Sequence, residues 1–220
     1  MVHFKFSLIY CAILAALAHT CDASIVLPDS GFEDPNSGSF WVPFGTADFD
    51  AAAPGIDPSV EGLETLQLVG NGDGETFSGV FQDVFIDGIT LNVGNRVAVT
   101  GIFGHTSTDP LAIANSAFLE VSFVDSSNNE FDDGLFRSAV LDSNSTPDIY
   151  QNGITTFATV PSNAVAVRVK AVFEELSVDP DVLSGSARFD NLGLVVVVPE
   201  PASGFMLAAG FLVILARRRR

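Results

Sequence analysis

Ala164-Val165-Ala166-Val167-Arg168-Val169-Lys170-Ala171-Val172-Phe173 is the stretch that decides the fold of this 220-residue chain. Side chains on a strand alternate between two faces, so Val165, Val167, Val169, Ala171 and Phe173 share one face and Arg168 and Lys170 share the other. One face packs into a core, and the other meets water or a ligand. The same period of two recurs in Leu63 to Val69, Phe77 to Ile86, Arg96 to Phe103, Ala117 to Val124, Ile154 to Val160 and Ala187 to Val198. A period of 3.6 is almost absent. Between these runs lie pieces rich in Gly, Asn and Asp, among them Asn71-Gly72-Asp73-Gly74, Asp87-Gly88, Asn92 to Asn95, Asp125 to Asn129 and Asp142 to Pro147. Strands at this spacing predict an all-β sandwich or barrel.

The two ends of the chain read differently from the body. Residues 1–23 carry Lys5, an apolar run from Phe6 to Ala18 and a small residue at Ala23, which is the pattern of a cleaved secretory signal. At the other end come Pro199-Glu200-Pro201, an apolar run from Phe205 to Ala216, and Arg217, Arg218, Arg219 and Arg220. Arginines after an apolar segment hold its end in the cytoplasm, so they act as a membrane stop. A 12-residue run falls short of the roughly 20 needed to span a bilayer, which predicts a transient anchor. Cys11 and Cys21 leave with the signal, so the expected body, 24–198, has no thiol and no disulfide. It is the length of one domain. Its 25 acids and 5 bases leave it near −20, which repels phosphate polymers and excludes a nucleic-acid partner. Neutral sugars, cationic surfaces and divalent metals remain open.

The order of the tail, residues 199–220, resembles the PEP-CTERM sorting signal of Gram-negative bacteria. That resemblance implies processing by the membrane protease exosortase, export to the cell surface or beyond, and a setting of exopolysaccharide production. A second resemblance lies in the body: Asp29-Ser30-Gly31-Phe32-Glu33 with Trp41, then Gly79-Val80-Phe81-Gln82-Asp83-Val84, then Arg188-Phe189-Asp190-Asn191-Leu192. These are similar to the motifs of galactose-binding-like jelly rolls, which include several carbohydrate-binding module families. The resemblance implies a jelly-roll β-sandwich with a structural calcium held by Glu33 and Asp190, completed by backbone carbonyls and Asp34. Calcium takes six to eight oxygens, so two carboxylates would form only part of the set.

Catalysis finds little in the sequence. The body has one histidine, His105, and no cysteine, and it lacks a Gly-x-Ser-x-Gly elbow, so no enzyme is expected. Asp125, Asn128, Glu130, Asp132 and Asp133 form an acidic stretch without EF-hand spacing, which reads as a solvated loop. For a sugar site the candidates are Trp41 and Tyr150 as aromatic platforms, and Arg168, Lys170 and Gln82 as hydrogen bonders. Trp41 can equally pack in the core, and Arg168 and Lys170 can equally form a salt-bridged face. The sequence therefore leads to an exported, non-enzymatic module that binds glycan or exopolysaccharide. The alternative is an acidic structural matrix protein without a ligand site.

Overall fold

A computed structural model of the chain describes residues 21–34, 36–52, 64–70, 76–176 and 185–198. The apolar part of the expected signal and the sorting tail from Pro199 to Arg220 lie outside the described residues, as does the turn at Asn71 to Gly74. Two compact units are present. The first is made of 1–23 and 197–220, of which 21–23 and 197–198 are described. The second, Ser24–Val196, carries the fold. Among the described residues no helix is long and apolar enough to cross a membrane.

The strands are β1 (Cys21–Ile25), β2 (Val42–Phe44), β3 (Thr46–Ala52), β4 (Glu64–Val69), β5 (Thr76–Phe85), β6 (Arg96–Gly104), β7 (Ser116–Asp125), β8 (Glu130–Arg137), β9 (Leu141–Asp142), β10 (Gln151–Ile154), β11 (Ala158–Thr159), β12 (Ala164–Glu175) and β13 (Ser186–Val198). A 3-10 turn, Ser37–Ser39, precedes β2. The strands form two sheets. Sheet A runs β10-β6-β13-β4-β3, with β11 also on β6 and β1 as its seventh strand. Sheet B runs β2-β5-β12-β7-β8, with β9 on β7. These two sheets, antiparallel throughout sheet B and at β10–β6, β11–β6, β13–β4 and β3–β4 in sheet A, make the β-sandwich that the period of two predicts.

The core lies between them. From sheet B it takes Val80, Val167, Val169, Ala171, Phe173, Leu119, Val121 and Phe123, and from sheet A Leu66, Leu68, Val97, Val99, Phe103 and Phe189, all fully buried. Phe103 and Phe189 stack at 5.8 Å. Gly101 leaves room for the core here, since a Cβ would come within 2.5 Å of Leu192 Cδ2 and 3.3 Å of Leu119 Cδ1. Along β13 the buried positions change parity, from Ala187 and Phe189 to Leu192, Leu194 and Val196. The change falls at Asn191, whose φ is +50°, as expected of an extra residue that bends a strand and re-aims its side chains.

Six of the seven expected strands appear within a residue or two of their expected ends. Ile154 to Val160 is a correction, because it splits into β10 and β11. Between Ile154 opposite Thr100 and Ala158 opposite Val97, four steps on one strand face three on β6. Thr155 absorbs the extra residue by donating its N–H to Val99 O and accepting the Val99 N–H at Oγ1. The acidic stretch is a second correction. Only Asp125 to Asn129 is a turn, and Glu130 begins β8. The strands β2, β3 and β9, at three, seven and two residues, were too short or too acidic to show a hydrophobic period.

Candidate functional site

Sheet B turns its second face outward, and the strand register sorts the side chains there into transverse rows. Phe44 lies opposite Gly79, Gly79 opposite Val172, and Val172 opposite Phe118. The next row runs Val42, Phe81, Lys170, Glu120, Arg137. A third runs Asp83, Arg168, Ser122. Gly79 is required where it stands, because a Cβ would meet the Phe44 ring at 2.2 Å and Ala171 O at 2.6 Å. The Phe44 ring thus rests directly on the β5 backbone.

Opposite charges placed side by side on the middle strands form one connected network. Arg168 donates Nε and Nη2 to Asp83 Oδ1 and Oδ2 at 2.7 and 2.8 Å, a bidentate pair, and Nη1 to Glu130 Oε2 at 3.1 Å. Lys170 Nζ donates to Glu130 Oε1 at 2.6 Å and to Glu120. Arg137 Nε donates to Glu120 Oε2 at 2.9 Å. Glu130 arrives by local chemistry: Asp125 Oδ1 accepts the N–H groups of Ser127 and Asn129, closing a turn with Asn128 at φ +61° that delivers Glu130 to the start of β8. The Asn129 bonds hold the Asp125 carboxyl below its usual range. The hydrogen bond to Asp83 raises the Arg168 guanidinium further above its usual value, with Glu130 adding to it against the opposing effect of burial. Arg168 also lies over the Phe81 ring at 3.9 Å, and Arg137 over Phe118 at 4.1 Å.

This face carries an open cavity of about 410 Å³ lined by Phe44, Phe77, Phe81, Glu120, Glu130, Arg137, Arg168, Lys170 and Val172. Phe77 on its rim is 48% exposed. Aromatic rings beside a dense array of fixed donors and acceptors suit a polyhydroxylated ligand.

Of the residues read as ligand binders, the structure brings Arg168 and Lys170 together in this cavity and separates the other three. Trp41 is fully buried, its ring 5.3 Å from that of Phe32 and its Nε1 donating to Asp29 O, so it is a core residue and not a platform. Tyr150 is buried against Gly104, where a Cβ would lie 3.0 Å from the Tyr150 ring. Gln82 lies opposite Val169 on the inward parity of β5, and its Nε2 donates to Phe40 O at 3.1 Å. All three side chains are buried where they stand, outside this cavity. Sequence reasoning missed Phe44, Phe77, Phe81, Asp83, Glu120, Glu130 and Arg137. A signal was present at Glu120, an acid inside Phe118-Leu119-Glu120-Val121, but its partners are set by register between distant strands.

Glu33 and Asp190 both lie beside Gly31. Asp190 is fully buried, and Glu33 lies in the turn after β1. Gly31 leaves a cradle between them, since a Cβ would lie 3.4 Å from Asp190 Oδ1 and 3.8 Å from Glu33 Cγ. Glu33 Oε1 accepts the Glu64 N–H at 3.0 Å, and Asp34 Oδ1 accepts the Asn36 N–H at 2.8 Å. Among the described residues no group of three or more His, Cys, Asp or Glu is placed to hold a metal. The two carboxylates therefore fit a cation only as part of a larger oxygen set. His105 is buried, with Nε2 3.0 Å from Ser145 O, and lines none of these sites.

Residues 197–220 match the family described as the PEP-CTERM protein-sorting motif, so the chain carries that sorting signal. Comparison with curated proteins gives no match. Among solved structures, the chain is similar to the C-terminal family 22 carbohydrate-binding module of Clostridium thermocellum Xyn10B, at TM-score 0.50 and 14% identity over 78% of this chain and 91% of that one. It is also similar to part of the arabinose-bound α-L-arabinofuranosidase MgGH51, at TM-score 0.53 and 10% identity over 79% of this chain and 26% of that one. At these identities the likeness shows the shared sandwich fold.

Proposed function

We propose that this is an exported glycan-binding module, sorted to the cell envelope through its PEP-CTERM signal and processed there by exosortase. The observation that carries the reading is the cavity on sheet B, where Phe44, Phe77 and Phe81 stand beside a fixed network of Arg137, Arg168, Lys170, Glu120 and Glu130. Sugars stack their C–H faces on aromatic rings and take hydrogen bonds from charged groups that are already held in place, which lowers the cost of ordering on binding. The sorting motif and the fold shared with a carbohydrate-binding module support the same reading. A transient membrane anchor in the tail and a cleaved signal at residues 1–23 belong to the proposal.

We read the cavity as non-catalytic. Glu120 and Glu130 both accept from Lys170, and each has a further cationic donor, so neither is placed as the protonated acid that glycoside hydrolysis requires. A structural calcium at Glu33 and Asp190 is also proposed, on the strength of the Gly31 cradle; it would tie the first turn to β13 and supply no chemistry to the cavity. Its test is thermal unfolding of the full chain in calcium and in chelator: a saturable rise abolished by Glu33→Ala supports it, and an unchanged melting temperature overturns it.

Affinity electrophoresis of the full chain through gels containing neutral polysaccharides tests the main proposal. Retardation by at least one polymer, lost in Phe77→Ala, is the expected result. Migration unaffected by every polymer would favour the acidic matrix protein instead.

A further inference from the structure

We infer that Glu130 makes the sheet B cavity selective for uncharged glycan over glycan bearing carboxylates, an inference that rests on the glycan-binding reading of that cavity. Three acids serve the network, and two of them are committed on inner strands. Asp83 on β5 takes two N–H groups of Arg168, and Glu120 on β7, its side chain 2% exposed, takes Arg137 and Lys170. Glu130 differs in place and in task. It opens the edge strand β8, its side chain is the most exposed of the three at 26%, and it lines the cavity. Its two oxygens separately take Arg168 Nη1 at 3.1 Å and Lys170 Nζ at 2.6 Å, with the Ser122 hydroxyl donating to one of them.

A carboxylate bridging Arg168 and Lys170 is the arrangement that a uronate ligand would have to make for itself. Glu130 already holds that position. A sugar hydroxyl can donate to Glu130 or accept from the cations without moving any charge. A uronate must instead displace Glu130 or lie against it, and like charges at that range repel strongly. Among the described residues, Glu130, Asp83 and Glu120 balance Arg137, Arg168 and Lys170, and removing Glu130 takes one negative charge out of that set. The acidity of the whole body adds a repulsion that salt screens over about 8 Å at 0.15 M, whereas contact with Glu130 persists in salt.

The test compares the full-length wild-type chain with Glu130→Gln and Glu130→Ala for binding of polygalacturonate and its oligomers, by affinity electrophoresis and calorimetry in roughly 0.15 M salt. Wild type is expected to pass polygalacturonate gels unretarded, and both variants are expected to gain at least about tenfold in affinity. The inference is overturned if folded variants bind no better than wild type, or if wild type already binds polygalacturonate as well as they do. It is overturned too if neither variant folds, because Glu130 is then a structural residue. A neutral polysaccharide run alongside separates the two failures: if it binds wild type but neither variant gains polygalacturonate affinity, the inference alone fails, and if it binds none of the three proteins, the glycan reading fails and the inference with it.

Discussion

Replacing Lys170 with Met removes an ammonium from the centre of the sheet B network while keeping most of the stem that packs there. The Lys170 side chain is 8% exposed and that of Glu120 2%, so solvent does little to screen their pair. Breaking a buried pair by removing one partner costs about 3–5 kcal/mol, because the surviving charge is left in a poor solvent. Here each carboxylate keeps a second cation: Glu120 keeps Arg137, and Glu130, at 26% exposure, keeps Arg168 and some water. The expected loss therefore falls to about 2–3 kcal/mol. For a body of this length that lowers the melting temperature by about 4–12 °C. The assay is thermal or urea unfolding of the full chain, with Glu120→Gln and the double variant completing a cycle. The double variant is expected to regain at least half of the loss, since it removes the buried anion along with its cation. A Lys170→Met chain as stable as wild type, or a double variant no better than the single, would refute the idea that this network is desolvated and coupled.

Three further outcomes follow from the geometry. Gly79→Ala should destabilise by about 1–3 kcal/mol, because relief of the Phe44 contact leaves the clash with Ala171 O; Gly38→Ala, with only Phe49 at 3.9 Å, should be near neutral, and equal melting temperatures for the two would contradict the packing. Asp87 accepts the N–H groups of Leu91, Ile89 and Thr90, which hold its carboxyl down to about 2. Because the folded value lies below the unfolded one, its stabilisation is present above about pH 4 and disappears as pH falls toward 2. Asp87→Ala should thus lower the melting temperature at pH 7, with the gap from wild type closing by pH 2; a gap that does not change with pH would count against these bonds.

How much could be read from the sequence depended on the range over which each signal acts. Alternation is local, so β12 and its long neighbours were legible residue by residue. The β10–β11 break was not, because Thr155 interrupts the ladder by bonding to Val99, 56 positions away. Trp41 illustrates an ambiguity that sequence cannot resolve: a tryptophan after a turn serves a ligand or a core equally well until Phe32 is seen beneath it. For the cavity, the outward parity of Arg168 and Lys170 was legible. Their partners were not, because the pairing of Arg168 with Asp83 is fixed by register across 85 residues. Glu130 was hidden by its setting among acids, where a strand start looks like the rest of a solvated loop.

Glycan binding at the sheet B cavity is tested most directly by calorimetric titration of the full chain with a neutral oligosaccharide drawn from any polymer that retards it, for wild type and for Phe77→Ala. Phe77 is half exposed on the rim of the cavity, so its loss should leave the fold intact. Wild type should bind saturably, and the variant should lose at least about tenfold in affinity, equivalent to about 1.4 kcal/mol, at an unchanged melting temperature. Equal affinities in the two proteins would place any glycan site elsewhere and contradict the assignment of the sheet B cavity.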